Sequence, residues 1–318
     1  MNPGGPEILV VTYHFLSGEA WPGKGVHPFG TDRFREQVEL LSRTSRFLSL
    51  EELEAPGLPG LGGFARYALL AFDDGLAEQF EVAWPILEGM GIPGAFFPCT
   101  SPLQTGKLLH VHRLHALRGA MDDGKLLALF KSLARSLGFD ESARVIEAGN
   151  LPEAPYPYDG PEARALKSLF NYTLPQAERE ALSASAFSQV CGEEAPWAER
   201  LYMVPAMIRE LARNGCLGTH THSHRPLSRM DREGIRQEIR ESLDILEKTS
   251  GVRPRSVSYP YGNSLAVSPE VFEVAADCGL RCGFTTERRA NFPRTDRLQL
   301  ARFDAEDLPP GKRPIASL

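Results

Sequence analysis

The stretch Ala68-Leu69-Leu70-Ala71-Phe72-Asp73-Asp74-Gly75 decides how this chain is read. Five consecutive apolar residues that stop at two carboxylates suit a strand buried on both faces. Six further runs have the same character: Ile8–Tyr13, Gly94–Phe97, Cys216–Thr219, Ser256–Tyr259, Cys282–Thr285 and Leu298–Phe303. Most are separated by helical patterns. Pro205 stands in the first turn of one helix and Gly215 just past its end. Another opens at Asp231, aligns Ile235, Ile239, Leu243 and Leu246 on one face, and stops at Gly251. This alternation predicts an α/β protein whose parallel sheet is either open or closed into a barrel of seven units. In both cases the site belongs at the carboxyl ends of the strands.

Between about 107 and 197 the alternation lapses. Leu126, Phe130, Leu133 and Leu137 fall at helical spacing, and two more helices are expected around Ala163–Phe170 and Gln176–Val190. A proline-rich loop, Leu151 to Gly160, lies between them. We read the block as a helical insertion within a single domain spanning 1–318. The 318 residues are 42% hydrophobic, enough for a core, and carry a net charge of -6, which argues against a nucleic-acid partner. No run approaches the roughly 18 apolar residues of a membrane span. The five cysteines are scattered, without metal-ligand pair spacing. Met1 to Ile8 shows no secretory leader, so a cytoplasmic protein is expected, although a trimmed leader would leave the same start.

Three strand ends carry chemistry. At Asp73 and Asp74, Gly75 permits a sharp turn that lets both carboxylates face one cavity. Packed together they repel, so one needs a cation or a proton. Alone, the segment would read as a turn capping the next helix. Gly218-Thr219-His220-Thr221-His222-Ser223-His224 places three imidazoles in five residues after an apolar strand. His220 and His224, four apart, can converge on one metal ion, with His222 directed elsewhere. In Ser258-Tyr259-Pro260-Tyr261-Gly262 the backbone suits a close approach to a ligand, with an amide pointing inward. A second group, His110, His112 and His115, opens the insertion. With no carboxylate within four residues, it reads as substrate or surface residues rather than a second metal site.

At these three segments the chain resembles the polysaccharide deacetylase family, the NodB-homology domain of carbohydrate esterase family four. Phe72-Asp73-Asp74-Gly75 is similar to its first motif, His220–His224 to its second and Tyr259–Gly262 to its third. The resemblance implies a distorted (β/α)7 barrel carrying the helical insertion. It implies Asp74, His220 and His224 as ligands of one divalent metal, zinc first, with cobalt, nickel, iron or manganese also able to serve. Asp73 would be the general base, and the Tyr261 amide would stabilise the oxyanion. Pro260, Tyr261 and His222 would bind substrate. The chain also departs from the pattern. Ser258 stands where the third motif opens with an arginine that orients the base, and no fourth motif is visible. Arg302 stands where the fifth motif ends in an acidic histidine. Arg302 is therefore assigned to a carboxylate or phosphate of the substrate, and His14, at the tip of the first strand, to the general acid.

The expected function is metal-dependent removal of an N-acyl group, acetyl above all, from an amino sugar or glycan intermediate in carbohydrate metabolism. Without an export signal, a sugar nucleotide or lipid-linked glycan is preferred over an extracellular polymer. One alternative is a catalytically degenerate fold that binds a glycan or partner. Another is a ferrous facial triad, which the spare Asp73 opposes because an oxygenase needs no base there.

Overall fold

A computed structural model describes residues 5–17, 19, 21, 25–56, 63–149, 151 and 159–318. The chain divides into two compact units, the first built from 1–18, 28–104 and 201–318, the second from 19–27 and 105–200. It opens with β1 (Glu7–Tyr13), α1 (Thr31–Thr44), β2 (Arg46–Phe47), α2 (Leu50–Glu54), β3 (Arg66–Asp74), α3 (Trp84–Met90), β4 (Gly94–Pro98) and α4 (Ser101–Thr105). Six helices follow: α5 (His110–Ala120), α6 (Asp123–Ser136), α7 (Asp140–Ala148), α8 (Pro161–Ser168), α9 (Gln176–Cys191) and α10 (Ala195–Leu201). The chain closes with α11 (Pro205–Arg213), α12 (Arg232–Ser250), β5 (Ser256–Ser258), α13 (Pro269–Asp277), β6 (Cys282–Phe284) and β7 (Phe303–Asp304). Among the described residues no helix is long and apolar enough to cross a membrane.

In the first unit every strand pairing is parallel. β3 pairs with β1 from Glu7↔Arg66 to Tyr13↔Phe72, and on its other edge with β4 from Leu70↔Gly94 to Asp74↔Pro98. Single parallel bridges then carry the ring onward, Phe96↔Leu217 and Thr219↔Val257 into β5. β5 pairs with β6, Phe284 bridges Leu300, and Phe303 returns the ring to Val11 of β1. Seven segments thus close on themselves, three of the joints being single bridges. The fold is α/β, a distorted barrel with helices outside.

Alternation along each strand explains why both faces are apolar. Ile8, Val10, Leu69, Ala71, Ala95, Phe97, Phe284 and Leu300 form one cluster, while Leu9, Val11, Leu70, Phe72 and Phe96 pack in another with residues of α1, α3 and α11. Two expected strands are thinner than their apolar runs suggest. Cys216–Thr219 makes only the two bridges, and Arg297–Gln299 forms a helical turn before Leu300. Gly218 crosses the Phe97 ring so closely that a Cβ there would stand 2.2 Å from it. The helix signals hold. Asp231 caps α12 by accepting from the Gly234 amide at 2.8 Å, and Gly251 ends it in the left-handed region at φ 78.

The second unit is helical, with Leu114, Leu117, Leu126, Phe130, Phe170 and Leu182 in its core. Six helices stand where three were expected. The first of them, α5, gave no apolar period because it buries polar His110, His112 and Arg113 among its inward residues. The guanidinium of Arg113 is matched by Glu180 at 2.6 Å and Glu194 at 2.8 Å. Most of the expected proline-rich loop, residues 152–158, lies outside the described residues.

Candidate metal and catalytic site

The site begins where β3 ends. Neighbouring strand residues point to opposite faces, so Asp73 and Asp74 would diverge by default. Asp74 adopts φ 75, and Gly75 follows at φ 75. A Cβ on Gly75 would lie 2.6 Å from Pro98, so no other residue fits this turn. The turn delivers the Asp74 carboxylate to two imidazoles: Oδ1 is 3.5 Å from His220 Nε2 and 3.4 Å from His224 Nε2. All three side chains are buried.

His220 presents the nitrogen that coordination needs. Its Nδ1 donates to the Ser258 carbonyl at 2.6 Å, which leaves the Nε2 lone pair facing Asp74. Burial pushes its pKa down to about 4, with the neighbouring His224 in the same direction and the Asp73 and Asp74 charges opposing. The ring is therefore neutral at pH 7, the form that binds metal. The loop holding it is tied to α12. Buried Glu238 accepts from the Thr221 hydroxyl at 3.3 Å, from the Ser223 hydroxyl at 2.8 Å and from the Ser223 amide.

Tyr261 stands across from this loop. Its ring meets His224 edge-on at 4.7 Å between centroids, and Pro260 before it is buried. Thr286 holds the turn, donating its hydroxyl to the Tyr261 carbonyl at 2.8 Å and its amide to the Gly262 carbonyl at 2.9 Å. Among the described residues, positive φ outside glycine occurs at Asp74, Thr221, His224 and Tyr261 alone. Each such residue costs on the order of 1–3 kcal/mol, and their gathering on one rim marks a built site.

Asp73 faces different partners. Its Oδ2 lies 2.7 Å from Arg302 Nη1 and 4.0 Å from His14 Nε2. Its Oδ1 is buried without a hydrogen-bond partner among the described residues. Burial raises its pKa, but the charges of Arg302, His220 and His14 outweigh that and the repulsion of Asp74, so the carboxyl titrates below its ordinary range.

The sequence assigned Arg302 to the substrate; the structure spends its guanidinium inside the barrel, on Asp73, on Thr12 Oγ1 at 3.1 Å and on the Thr285 carbonyl at 2.9 Å. His14 stands at the mouth with its side chain 43% exposed. His222 turns to Thr100 Oγ1 at 2.9 Å and lies 3.5 Å from Glu241. The expectation of surface positions for the second histidine group needs correcting. His110 and His112 are fully buried, because Glu180 lies 3.7 Å from His110 and the Trp21 ring packs 6.3 Å from His112. Sequence reasoning missed the Arg302–Asp73 pair and Glu238, neither of which has a local pattern.

The residues fit a divalent metal. Two ligands each about 2.0–2.1 Å from a tetrahedral centre stand about 3.3–3.4 Å apart, close to the separations from Asp74 to both imidazoles. The donor atoms of Asp74, His220 and His224 lie within 4.8 Å of one another, the one such group among the described residues.

A family model described as polysaccharide deacetylase matches residues 169–283, a stretch that holds His220, His224 and Tyr261 but not Asp73 or Asp74. A search of curated proteins by sequence returns no match. Among solved structures, a Streptococcus pyogenes deacetylase, PplD, in complex with acetate is 15% identical with a TM-score of 0.57, over 94% of this chain and 92% of that one. The BpsB deacetylase domain from Bordetella bronchiseptica is 18% identical with a TM-score of 0.56, over 94% and 95%. IcaB from Ammonifex degensii is 17% identical with a TM-score of 0.56, over 94% and 91%. These likenesses establish the shared fold, and over residues 169–283 this chain is similar to the polysaccharide deacetylase family.

Proposed function

We propose that this protein removes an N-acetyl group from an amino sugar in a glycan, with one divalent metal ion held by Asp74, His220 and His224. The observation that carries the reading is the division between consecutive carboxylates, Asp74 on two imidazoles and Asp73 on a guanidinium. A facial triad for oxygen chemistry has no use for the second carboxylate. A bound divalent cation would lower the pKa of water and polarise the amide carbonyl.

The chain's own groups supply the rest. Asp73, ionised at neutral pH, accepts the proton of the attacking water. The Tyr261 amide, in a turn held by Thr286, donates to the oxygen that becomes negative. Pro260 and the Tyr261 ring bound the sugar on the His224 side. An amine leaves only when protonated, and His14, at the mouth and 4.0 Å from Asp73, donates that proton. Zinc is the first choice of metal for two imidazoles and a carboxylate.

Acetate release tests this. Zinc-loaded and chelator-treated protein are each given chitooligosaccharides, poly-N-acetylglucosamine, N-acetylated sugar nucleotides and lipid-linked N-acetylated glycans. Release from at least one class, abolished by chelation and restored by zinc, is expected. Failure on every class would overturn the reading.

A further inference from the structure

We propose that Gln79 is a positioning residue: its one buried carboxamide holds the backbones of His14 and Asp73 together and so sets the separation of acid from base. The proposal rests on reading His14 as the acid and Asp73 as the base. β1 and β3 pair in register as far as Tyr13↔Phe72. His14 and Asp73 come next, one residue past the end of that register. There Gln79 Nε2 donates to the Asp73 carbonyl at 2.6 Å and to the His14 carbonyl at 3.2 Å. Both neighbours are carbonyl oxygens, which only accept, so the amide nitrogen with its two hydrogens must face them. Gln79 is fully buried, so the bridge is shielded from water.

Of the two backbones, that of His14 depends more on this bridge. Asp73 still has β4 beside it, in register with Phe97, and its carboxylate meets Arg302. His14 begins the loop that leaves β1, and its side chain is half-exposed. The residue before Gln79 completes the hold. Buried Glu78 accepts from the Leu16 amide, from the Ser17 amide at 3.2 Å and from the Ser17 hydroxyl at 2.6 Å. On its other side the loop is held through its carbonyls, Phe15 accepting from the Phe29 amide and Leu16 from the Gly30 amide, both at 2.9 Å. The segment 73–79 therefore carries both the base and the tethers of the acid. That coupling matters because a proton donor works only within hydrogen-bond reach, and a displacement of about 1 Å can cost about 10²-fold in rate.

A glutamine that merely satisfies two carbonyls at a strand end would show the same distances, so the test must separate the roles. Gln79→Met removes both donors at similar volume. On chitopentaose the zinc-loaded variant should lose about 10–100-fold in kcat, with KM and zinc content unchanged. On 4-nitrophenyl acetate, whose leaving group departs without a proton, the loss should largely vanish. In a His14→Asn background the same substitution should have no further effect on chitopentaose, because Gln79 acts through His14. Glu78→Gln, which keeps the shape and one acceptor, is the second variant should Gln79→Met not fold, and it should show the same pattern at smaller size. Crystals of the folded variant should show His14 Nε2 moved from its 4.0 Å setting against Asp73, a readout independent of activity. An unchanged kcat, an equal loss on amide and ester, a loss persisting in the His14→Asn background, or an unmoved His14 would each overturn the proposal. A His14→Asn protein that keeps full activity would instead remove His14 as the acid, and the role of Gln79 with it.

Discussion

Asp73 and Asp74 are consecutive in the chain, yet their carboxylates are turned to different partners, Asp74 at 3.4 Å from His224 and Asp73 at 2.7 Å from Arg302. The left-handed φ of Asp74 produces the division, and Gly75 beside Pro98 makes room for it. Adjacent acids of one strand end therefore have separate surroundings, one beside two imidazoles and one beside a guanidinium.

Metal content follows Asp74. Purified Asp74→Ala and His220→Ala proteins should lose bound zinc by elemental analysis, while Asp73→Asn keeps it. The last should nevertheless lose about 10²-fold or more in kcat, the usual worth of a general base. Full turnover in Asp73→Asn would exclude it from proton transfer.

His14→Asn should retain zinc and lose roughly 10²–10⁴-fold in rate on an N-acetyl substrate. With an activated acetate ester, whose leaving group departs without a proton, the loss should shrink towards nothing. An equal loss on both substrates would assign His14 to binding rather than to acid catalysis.

Glu238 touches neither donor imidazole by a hydrogen bond, but it holds Thr221 and Ser223 between the two. Glu238→Ala should weaken zinc affinity by about 10–100-fold, as loss of a supporting partner does. It should also lower stability by about 1–3 kcal/mol through the buried donors left behind. Glu238→Gln, which keeps an acceptor, should do less of both. Competition titration with a zinc chelator and urea unfolding measure the two effects.

The metal-free protein should be acid-labile through His220. Unfolded, its imidazole takes a proton near pH 6.5; folded, burial holds it down to about 4. Across that window the unfolded state binds the proton that the folded state refuses, so stability present above pH 6.5 is lost as pH falls towards 4. Urea unfolding of chelated protein should show this fall, up to a few kcal/mol in size. His220→Gln should flatten it.

Much of this was legible in residues close together in the chain. Ala68–Phe72 and Ile8–Tyr13 announce buried parallel strands because apolar runs are contiguous, and their paired register follows. The convergence of His220 and His224 is readable because their spacing within one loop is local, as are the signals at Asp231 and Gly251 that bound α12. Helix α5 was missed because a buried helix carrying His110, His112 and Arg113 has no apolar stripe to read.

What the sequence determined by itself was the alternation of elements, the strand ends that carry the carboxylates and imidazoles, and the spacing of His220 and His224, all set by short-range pattern. The tertiary structure alone decided that Arg302 meets Asp73 across 229 residues, that Glu238 braces the histidine loop, and that Trp21 packs on Trp197 at 5.7 Å. The reason is ring closure and burial. Pairing β7 with β1 brings the last strand within an arginine's length of β3, and a desolvated carboxylate is satisfied by whichever cation the fold delivers there. No spacing along the chain encodes that choice.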